Sequence, residues 1–111
     1  MFMQGLPTPL LDHVAARFRV LGDTNRLRIV HTLLEAGELN VGELVERLDM
    51  SQANVSKHLR ILHDAGVLAR RPEGTAAYYA VADSSISALC DLVCDRLREQ
   101  KVVEAEMFVN V

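Results

Sequence analysis

The sequence predicts a mainly α domain with one small β-hairpin, an α+β arrangement. Apolar residues recur at helical spacing in five segments, and glycines or capping residues separate these segments. Between the fourth and fifth segments, two short β-prone runs flank a glycine-containing turn. The chain has 111 residues, half of them hydrophobic, which is enough for one small core. We expect a flexible N-terminal arm over residues 1–9 and a single domain over residues 10–108.

The fourth segment, residues 51–66, is the one around which the others are organised. Ser51 is a favourable helix N-cap, and Val55, Leu59 and Leu62 form one apolar stripe. The opposite face carries amide, hydroxyl and cationic groups, which hydrogen-bond base edges and phosphates. These residues are Gln52, Asn54, Ser56, Lys57 and Arg60. The pattern favours a helix that enters a DNA major groove, and an ordinary solvated polar face is the alternative.

Three helices are predicted before this segment. The first spans about residues 10–22 and the second about residues 23–37, while Asn40 can cap a short third helix. A tight turn at Asp49 and Met50 then leads into the fourth helix. A helix, a short turn and a recognition helix together form the helix-turn-helix arrangement.

A β-hairpin is predicted directly after the recognition helix. Residues 67–69 and 76–81 are its β-prone runs, and a hairpin in this position is a wing. The predicted fold is therefore a winged helix-turn-helix. We expect Arg70, Arg71 and Thr75 to contact phosphates or a minor groove. The alternative is a surface hairpin with charged edges.

The last helix is predicted from Asp83 or Ser84 to about Met107. It carries a narrow apolar seam that is longer than a small core can cover. The seam consists of Ile86, Leu89, Cys90, Val93 and Leu97. Together with the apolar stripe of the first helix, this seam offers a surface for a second copy of the chain. We therefore expect a homodimer that packs through its first and last helices, and its two-fold symmetry suits a palindromic operator in double-stranded DNA.

The distribution of charge favours DNA binding although the formal net charge is −3. Residues 51–81 carry four cations against two acids, whereas residues 82–111 carry three cations against six acids. Positive charge is therefore concentrated around the predicted recognition helix, where the local field steers association.

Other classes of protein are disfavoured by the absence of their motifs. The sequence has no glycine-rich phosphate loop, no serine nucleophile elbow and no metalloprotease histidine pair, so we expect it not to be an enzyme. No run approaches the roughly 20 apolar residues of a membrane span, and the first residues do not resemble a signal peptide. We expect a cytoplasmic protein without membrane association.

The combined pattern resembles the ArsR/SmtB group of bacterial winged-helix repressors over about residues 15–82. The matching runs include Leu21-Gly22-Asp23, Val41-Gly42-Glu43-Leu44, Ser51-Gln52, Val55-Ser56-Lys57-His58-Leu59, Ala65-Gly66-Val67-Leu68 and Glu73-Gly74. The resemblance implies a homodimeric DNA-binding repressor that packs through its first and last helices and whose DNA binding is weakened by an inducer.

By the same resemblance, the polar face of the fourth helix meets bases and nearby phosphates, and His58 lies near the DNA backbone or at a helix–helix junction. The predicted DNA-binding residues are Ser51, Gln52, Asn54, Ser56, Lys57, His58, Arg60, Arg70, Arg71 and Thr75.

The best-known sensor sites of that group are missing from this sequence. The third helix begins without a Cys-x-Cys pair, no histidine follows Asp83, and the second helix has His31 but no cysteine. Cys90 and Cys94 remain as the candidate sensor for a thiol-reactive or thiophilic metal signal, because residues four apart lie on one side of a helix.

Two thiols do not complete a metal site, so His13 or the partner chain's cysteines would have to contribute, and the identity of any thiophilic metal ion stays open. The alternative is that Cys90 is a small buried hydrophobe and Cys94 lies at the margin of the apolar stripe. In that case the protein is a constitutive DNA-binding repressor that senses no inducer.

Overall fold

The computed structural model describes residues 5–101, which form five helices and one three-stranded antiparallel sheet. The helices are α1 (Thr8–Leu21), α2 (Thr24–Ala36), α3 (Val41–Leu48), α4 (Gln52–Asp64) and α5 (Ser84–Gln100). The strands are β1 (Leu39–Asn40), β2 (Leu68–Glu73) and β3 (Ala76–Val81). None of the helices within residues 5–101 is long and apolar enough to span a membrane. The predicted end of the last helix near Met107 lies outside the described residues.

Side-chain caps account for where α2 and α4 begin. Asp23 accepts from the amide of Arg26 at 3.0 Å, and Ser51 Oγ accepts from the amide of Asn54 at 3.1 Å. Each bond satisfies an amide that has no partner within its own helix, which is why α2 and α4 begin where the sequence predicted.

The first helix begins at Thr8, two residues before its predicted start. Pro7 is its N-cap and Pro9 lies in the first turn. A proline has no amide hydrogen to donate, and the first turn of a helix needs none. The prolines were read as part of a loose arm, whereas they open α1.

The core lies where α2, α3 and α4 meet the sheet. Val55, Leu59 and Leu62 of α4 are each no more than 1% exposed, which confirms the predicted apolar stripe. They belong to one cluster with Ile29 of α2 and Leu44 of α3. Burial of each such side chain stabilises the fold by about 1.5–3 kcal/mol. The rotation of α4 about its axis is fixed by this cluster.

The sheet has three strands rather than the two of the predicted hairpin. Its order is β1-β3-β2, and the added strand pairs Leu39 with Tyr79 and Asn40 with Tyr78. A run of two residues shows no alternation of apolar and polar positions, so the sequence did not reveal it. The predicted hairpin turn is present, and Gly74 has a φ of 61° at the position where a type II′ turn requires glycine.

Two consecutive leucines of α2 provide a matched test of this core, because Leu33 is 1% exposed and Leu34 is 37% exposed. We expect Leu33→Ala to lower the free energy of unfolding by about 2–5 kcal/mol, since it removes buried contacts and leaves a cavity. Leu34→Ala should cost less than about 1 kcal/mol. Urea denaturation at one fixed protein concentration measures both losses. Equal losses would contradict the packing described here.

Candidate nucleic-acid interface

The side of α4 opposite the core is exposed along its N-terminal half. The exposed residues are Ser51, Gln52, Asn54, Ser56, Lys57 and Arg60. Within residues 5–101, neither Lys57 nor Arg60 forms an ion pair with a carboxylate. The cationic groups of this face are therefore available to an external anion.

The polar surface continues from α4 onto the wing. An open groove of about 490 Å³ lies between the hairpin and the starts of α3 and α4. Gln52, Arg70 and Thr75 line it, together with Asn40 and Gly42 at the start of α3. Amide, guanidinium and hydroxyl groups are the donors that bind phosphate oxygens in protein–DNA interfaces. The fold thus brings predicted residues of the helix and of the wing into one groove.

The two consecutive arginines of β2 have different surroundings, because successive side chains of a strand point to opposite faces. Arg71 donates to both carboxylate oxygens of Glu38, from Nη2 at 2.7 Å and from Nε at 3.0 Å, and its Nη1 donates to Glu73 at 3.0 Å. Its Cζ lies 4.9 Å from the centroid of the Tyr78 ring. Arg71 was predicted to contact DNA, but two carboxylates neutralise its guanidinium. Of these two arginines, Arg70 is the one that lines the groove.

His58 is buried at a helix junction rather than presented on the exposed face. Arg26 Nη1 lies 3.3 Å from His58 Nδ1, and since a guanidinium only donates, Nδ1 accepts and the ring proton is on Nε2. Burial lowers the pKa of His58, and the charges of Lys57 and Arg26 act in the same direction against that of Asp23. His58 thus lies at a helix–helix junction, which is one of the two positions that the resemblance implies for it.

Known regulators resemble this chain in sequence and in fold. A family model described as bacterial regulatory protein, arsR family, matches residues 23–70. The arsenical resistance operon repressor of Bacillus subtilis (strain 168) is 32% identical over 87 residues, which are 78% of this chain and 83% of that repressor. This chain belongs to the ArsR family. The arsenical resistance operon repressor of Escherichia coli (strain K12) is 36% identical over 89 residues, covering 79% of this chain and 76% of that protein.

A solved structure agrees with this assignment to the ArsR family. The homodimeric winged helix-turn-helix DNA-binding domain Mb0332 from Mycobacterium bovis has a TM-score of 0.75 and 32% sequence identity. The match covers 83% of this chain and 84% of the Mycobacterium bovis chain. The predicted winged helix-turn-helix fold is confirmed, and the chain is a DNA-binding transcriptional regulator and not an enzyme.

The two cysteines of this ArsR-family chain lie on α5 beside an apolar groove of about 350 Å³. Phe18 of α1 and Leu27 of α2 also line the groove. Cys90 is half-buried and Cys94 is exposed. Burial raises the pKa of the Cys90 thiol, and the charges of Cys94 and Asp91 act in the same direction. The raised pKa disfavours the thiolate form of Cys90, which is the reactive form of a cysteine.

The described residues of this chain do not form a complete metal site. Within residues 5–101, no group of three or more histidine, cysteine, aspartate and glutamate side chains is placed to hold one. His13, predicted as a further ligand, lines a different groove with Arg17 and Ser85. A metal bound by Cys90 and Cys94 would need ligands from outside the described chain, because two thiols do not complete a coordination sphere.

The sequence did not reveal the residues that hold His58, Arg71 and the start of α3 in place. Asn40 and Glu43 carry the spacing of a capping box, which signals a helix start but gives no indication of a groove. Arg26, which fixes His58, and Glu38, which binds Arg71, act on partners 32 and 33 residues away. No local pattern reveals such a pairing.

Because the buried ring of His58 is neutral, we expect the stability of the fold to depend on pH near neutrality. The pKa of His58 is lower in the folded chain than its ordinary value of 6.5, so the unfolded chain binds more protons in this range. The contribution of the neutral His58 ring to the free energy of unfolding is therefore complete above pH 6.5. It is lost as the pH falls through 6.5 toward the pKa of His58 in the folded chain. Thermal unfolding between about pH 7.5 and 5.5 measures the loss.

The variant His58→Asn removes the titrating ring and should show a smaller loss of stability over the same range. His63→Asn is the matched control, since His63 is an exposed histidine on the same helix, and it should behave like the wild type. Identical pH dependence in His58→Asn and in the wild type would argue against this role of the buried ring.

Proposed function

We propose that this ArsR-family regulator is a homodimeric repressor that binds a palindromic operator and is released by a thiol-specific signal. The observation that carries the proposal is the exposed N-terminal half of α4, opposite its fully buried stripe. Gln52 and Asn54 suit hydrogen bonds to adenine edges, while Lys57 and Arg60 suit phosphates. The hydroxyl of Ser56 suits either.

On the wing, Arg70 and Thr75 are the proposed phosphate contacts. They share a groove with Gln52, so a DNA strand that follows α4 into this groove meets all three side chains. Phosphate contacts set the register of a protein on the duplex without reading its sequence. Arg71 is not included among these contacts, because all three of its nitrogens already donate to Glu38 or Glu73.

A second copy of the chain is the proposed occupant of the apolar surface of α1 and α5. Phe18, Val93 and Leu97 of this surface are each about half exposed. Contiguous exposed apolar side chains on a protein surface mark interaction sites, and the Mycobacterium bovis relative is a homodimer. A two-fold axis at this surface would direct two α4 helices at major grooves about 34 Å apart, which suits a palindrome.

The salt dependence of DNA affinity tests the proposed interface. Lys57→Ala and Arg60→Ala should each weaken binding to any duplex and flatten the slope of log affinity against log salt by about 0.9. The effect of Asn54→Ala is measured on two duplexes, one selected by the wild type from a random library and one of mixed sequence. The difference in binding free energy between the two should shrink by roughly 1–3 kcal/mol. Fluorescence anisotropy over roughly 50–200 mM salt measures both effects.

Arg98→Ala is the control for this experiment, because it removes a cation of α5 that pairs with Asp95 on the same helix. Its salt slope should match that of the wild type. If Lys57→Ala and Arg60→Ala leave the salt slope unchanged, the α4 interface is contradicted. Sedimentation of the wild type as a monomer at micromolar concentration would contradict the dimer.

We further propose that the signal acts at Cys90 and Cys94, the two cysteines of the chain. They line the groove between α1, α2 and α5, which shares Phe18, Val93 and Leu97 with the surface proposed for the second copy. A group bonded to either sulfur adds volume or charge there, which would favour a subunit angle that no longer fits DNA. The arsenical resistance named for the Bacillus subtilis and Escherichia coli relatives supports a thiophilic signal. Cys94 is the more accessible of the two sulfurs.

A constitutive repressor is the second candidate, and the packing of Cys90 favours it. Cys90 lies against the core cluster, and its raised pKa disfavours the reactive thiolate. In this case both cysteines serve the packing of α5.

The double variant Cys90→Ser, Cys94→Ser distinguishes the two candidates. It should bind the selected duplex as tightly as the wild type does. If the cysteines sense the signal, a thiophilic metal salt, hydrogen peroxide or an inorganic persulfide should weaken the wild type by roughly 5–150-fold and leave the double variant unaffected. Mobility-shift titrations measure the release. A wild type that none of these reagents releases would remove the sensor proposal and favour the constitutive repressor.

A further inference from the structure

Glu38 lies in an unexpected place for an acidic residue of a DNA-binding domain, because it reaches the wing. It immediately precedes β1, which is separated from β2 by β3 in the sheet. Arg71 of β2 nevertheless reaches Glu38 through two hydrogen bonds, with its guanidinium over the ring of Tyr78 of β3. The Arg71 side chain therefore connects β2 and β3 to the residue that precedes β1.

This connection ties the wing to the helix-turn-helix. Asn40 ends β1 and is also the N-cap of α3, where it forms a capping box with Glu43 at 2.9 Å in both directions. The chain thus passes from Glu38 through β1 into α3 without a flexible turn. Two residue pairs join β1 to β3, and the bidentate bond between Glu38 and Arg71 adds a charged connection at the same junction.

The opposite face of the same strands forms the groove that contains the proposed phosphate contacts. In the sheet, Arg70 pairs with Tyr79 and Arg71 pairs with Tyr78. Arg70 and Tyr79 line the groove with Asn40 and Gln52. The position of β2 relative to the start of α3 therefore determines the width of the groove that a DNA strand must enter.

We propose that Glu38 and Arg71 are positioning residues for DNA, which hold the wing at the distance from α4 where Arg70, Thr75 and Gln52 meet one stretch of DNA backbone. The proposal rests on the DNA-binding function proposed above. A wing held in its binding position loses less conformational freedom when DNA binds, and affinity rises for that reason. Hydrogen bonds from Arg71 hold the pKa of the Glu38 carboxyl below its ordinary value, so the pair stays charged at neutral pH.

The sign of one mutational effect separates positioning from simple electrostatics. Removing a carboxylate from a protein that binds DNA reduces its repulsion of phosphates and should strengthen binding. If Glu38 positions the wing, its removal should weaken binding instead. The salt slope should not change, because no phosphate contact involves Glu38.

The test compares Glu38→Gln with Glu46→Gln. Both remove one exposed carboxylate of nearly identical shape, and Glu46 of α3 has no ion-pair partner within residues 5–101. The probe is a duplex of about 30 base pairs selected by the wild type, long enough for two half-sites one helical turn apart. We expect Glu38→Gln to bind about two- to fivefold more weakly with an unchanged salt slope, the range that loss of one surface pair allows. Glu46→Gln should bind as tightly as the wild type or more tightly.

Two further variants complete the experiment. Arg70→Ala should weaken binding and also flatten the salt slope by about 0.9, as loss of a phosphate contact requires. Arg71→Gln removes the same connection from the other strand and should weaken binding to a similar extent, again with an unchanged salt slope, because Arg71 is not one of the proposed phosphate contacts. Circular dichroism should show every variant folded, since all four sites are exposed.

Glu38→Gln binding as tightly as Glu46→Gln would overturn the positioning role while the DNA-binding function stands. A flattened salt slope in Glu38→Gln would overturn it as well, because Glu38 would then act through phosphate contacts. A wild type that binds no duplex would instead overturn the proposed function on which this inference rests.

Discussion

Burial of one side of α4 is the interaction on which the rest of the structure depends. Val55, Leu59 and Leu62 are each no more than 1% exposed. At about 1.5–3 kcal/mol for each such side chain, rotation of the helix would remove much of the few kcal/mol by which a small domain is stable. The core therefore fixes the rotation, and the helical period directs Asn54 and Lys57 outward. The polar surface that we propose for DNA is therefore a geometric consequence of the apolar one.

Three arginines hold the other helices around α4 without serving DNA. Each donates to a carbonyl at the end of another helix, a group that has no partner within its own helix, and each places a cation near the negative end of that helix dipole. The bonds are Arg26 Nε to Val20 O at 2.6 Å, Arg28 Nη2 to Leu48 O at 2.8 Å and Arg17 Nη2 to Ala65 O at 3.1 Å. Their carbonyl partners lie at the ends of α1, α3 and α4. These cations are consequently part of the fold rather than of the DNA-facing charge.

The sequence predicted the elements whose causes are local and missed those whose causes are distant. Helix periods, caps and the hairpin glycine act within a few residues, so the order of helices and the exposed face of α4 were predictable. The strand Leu39–Asn40 depends on its pairing with β3 and has no signal of its own. His58 and Arg71 were both predicted to contact DNA, with a helix–helix junction as the alternative for His58. Their actual partners, Arg26 and Glu38, are separated from them by 32 and 33 residues.

The net charge of −3 is compatible with DNA binding because several of the acids are compensated by hydrogen-bond donors within the fold. Asp23 and Asp83 cap α2 and α5, and hydrogen bonds from backbone amides lower the pKa of both carboxyls. Two glutamates surround Arg71. By contrast, Lys57 and Arg60 face solvent with no carboxylate partner within residues 5–101. Since salt screens charges beyond roughly 8–10 Å, DNA at α4 experiences these cations and not the total charge of the chain.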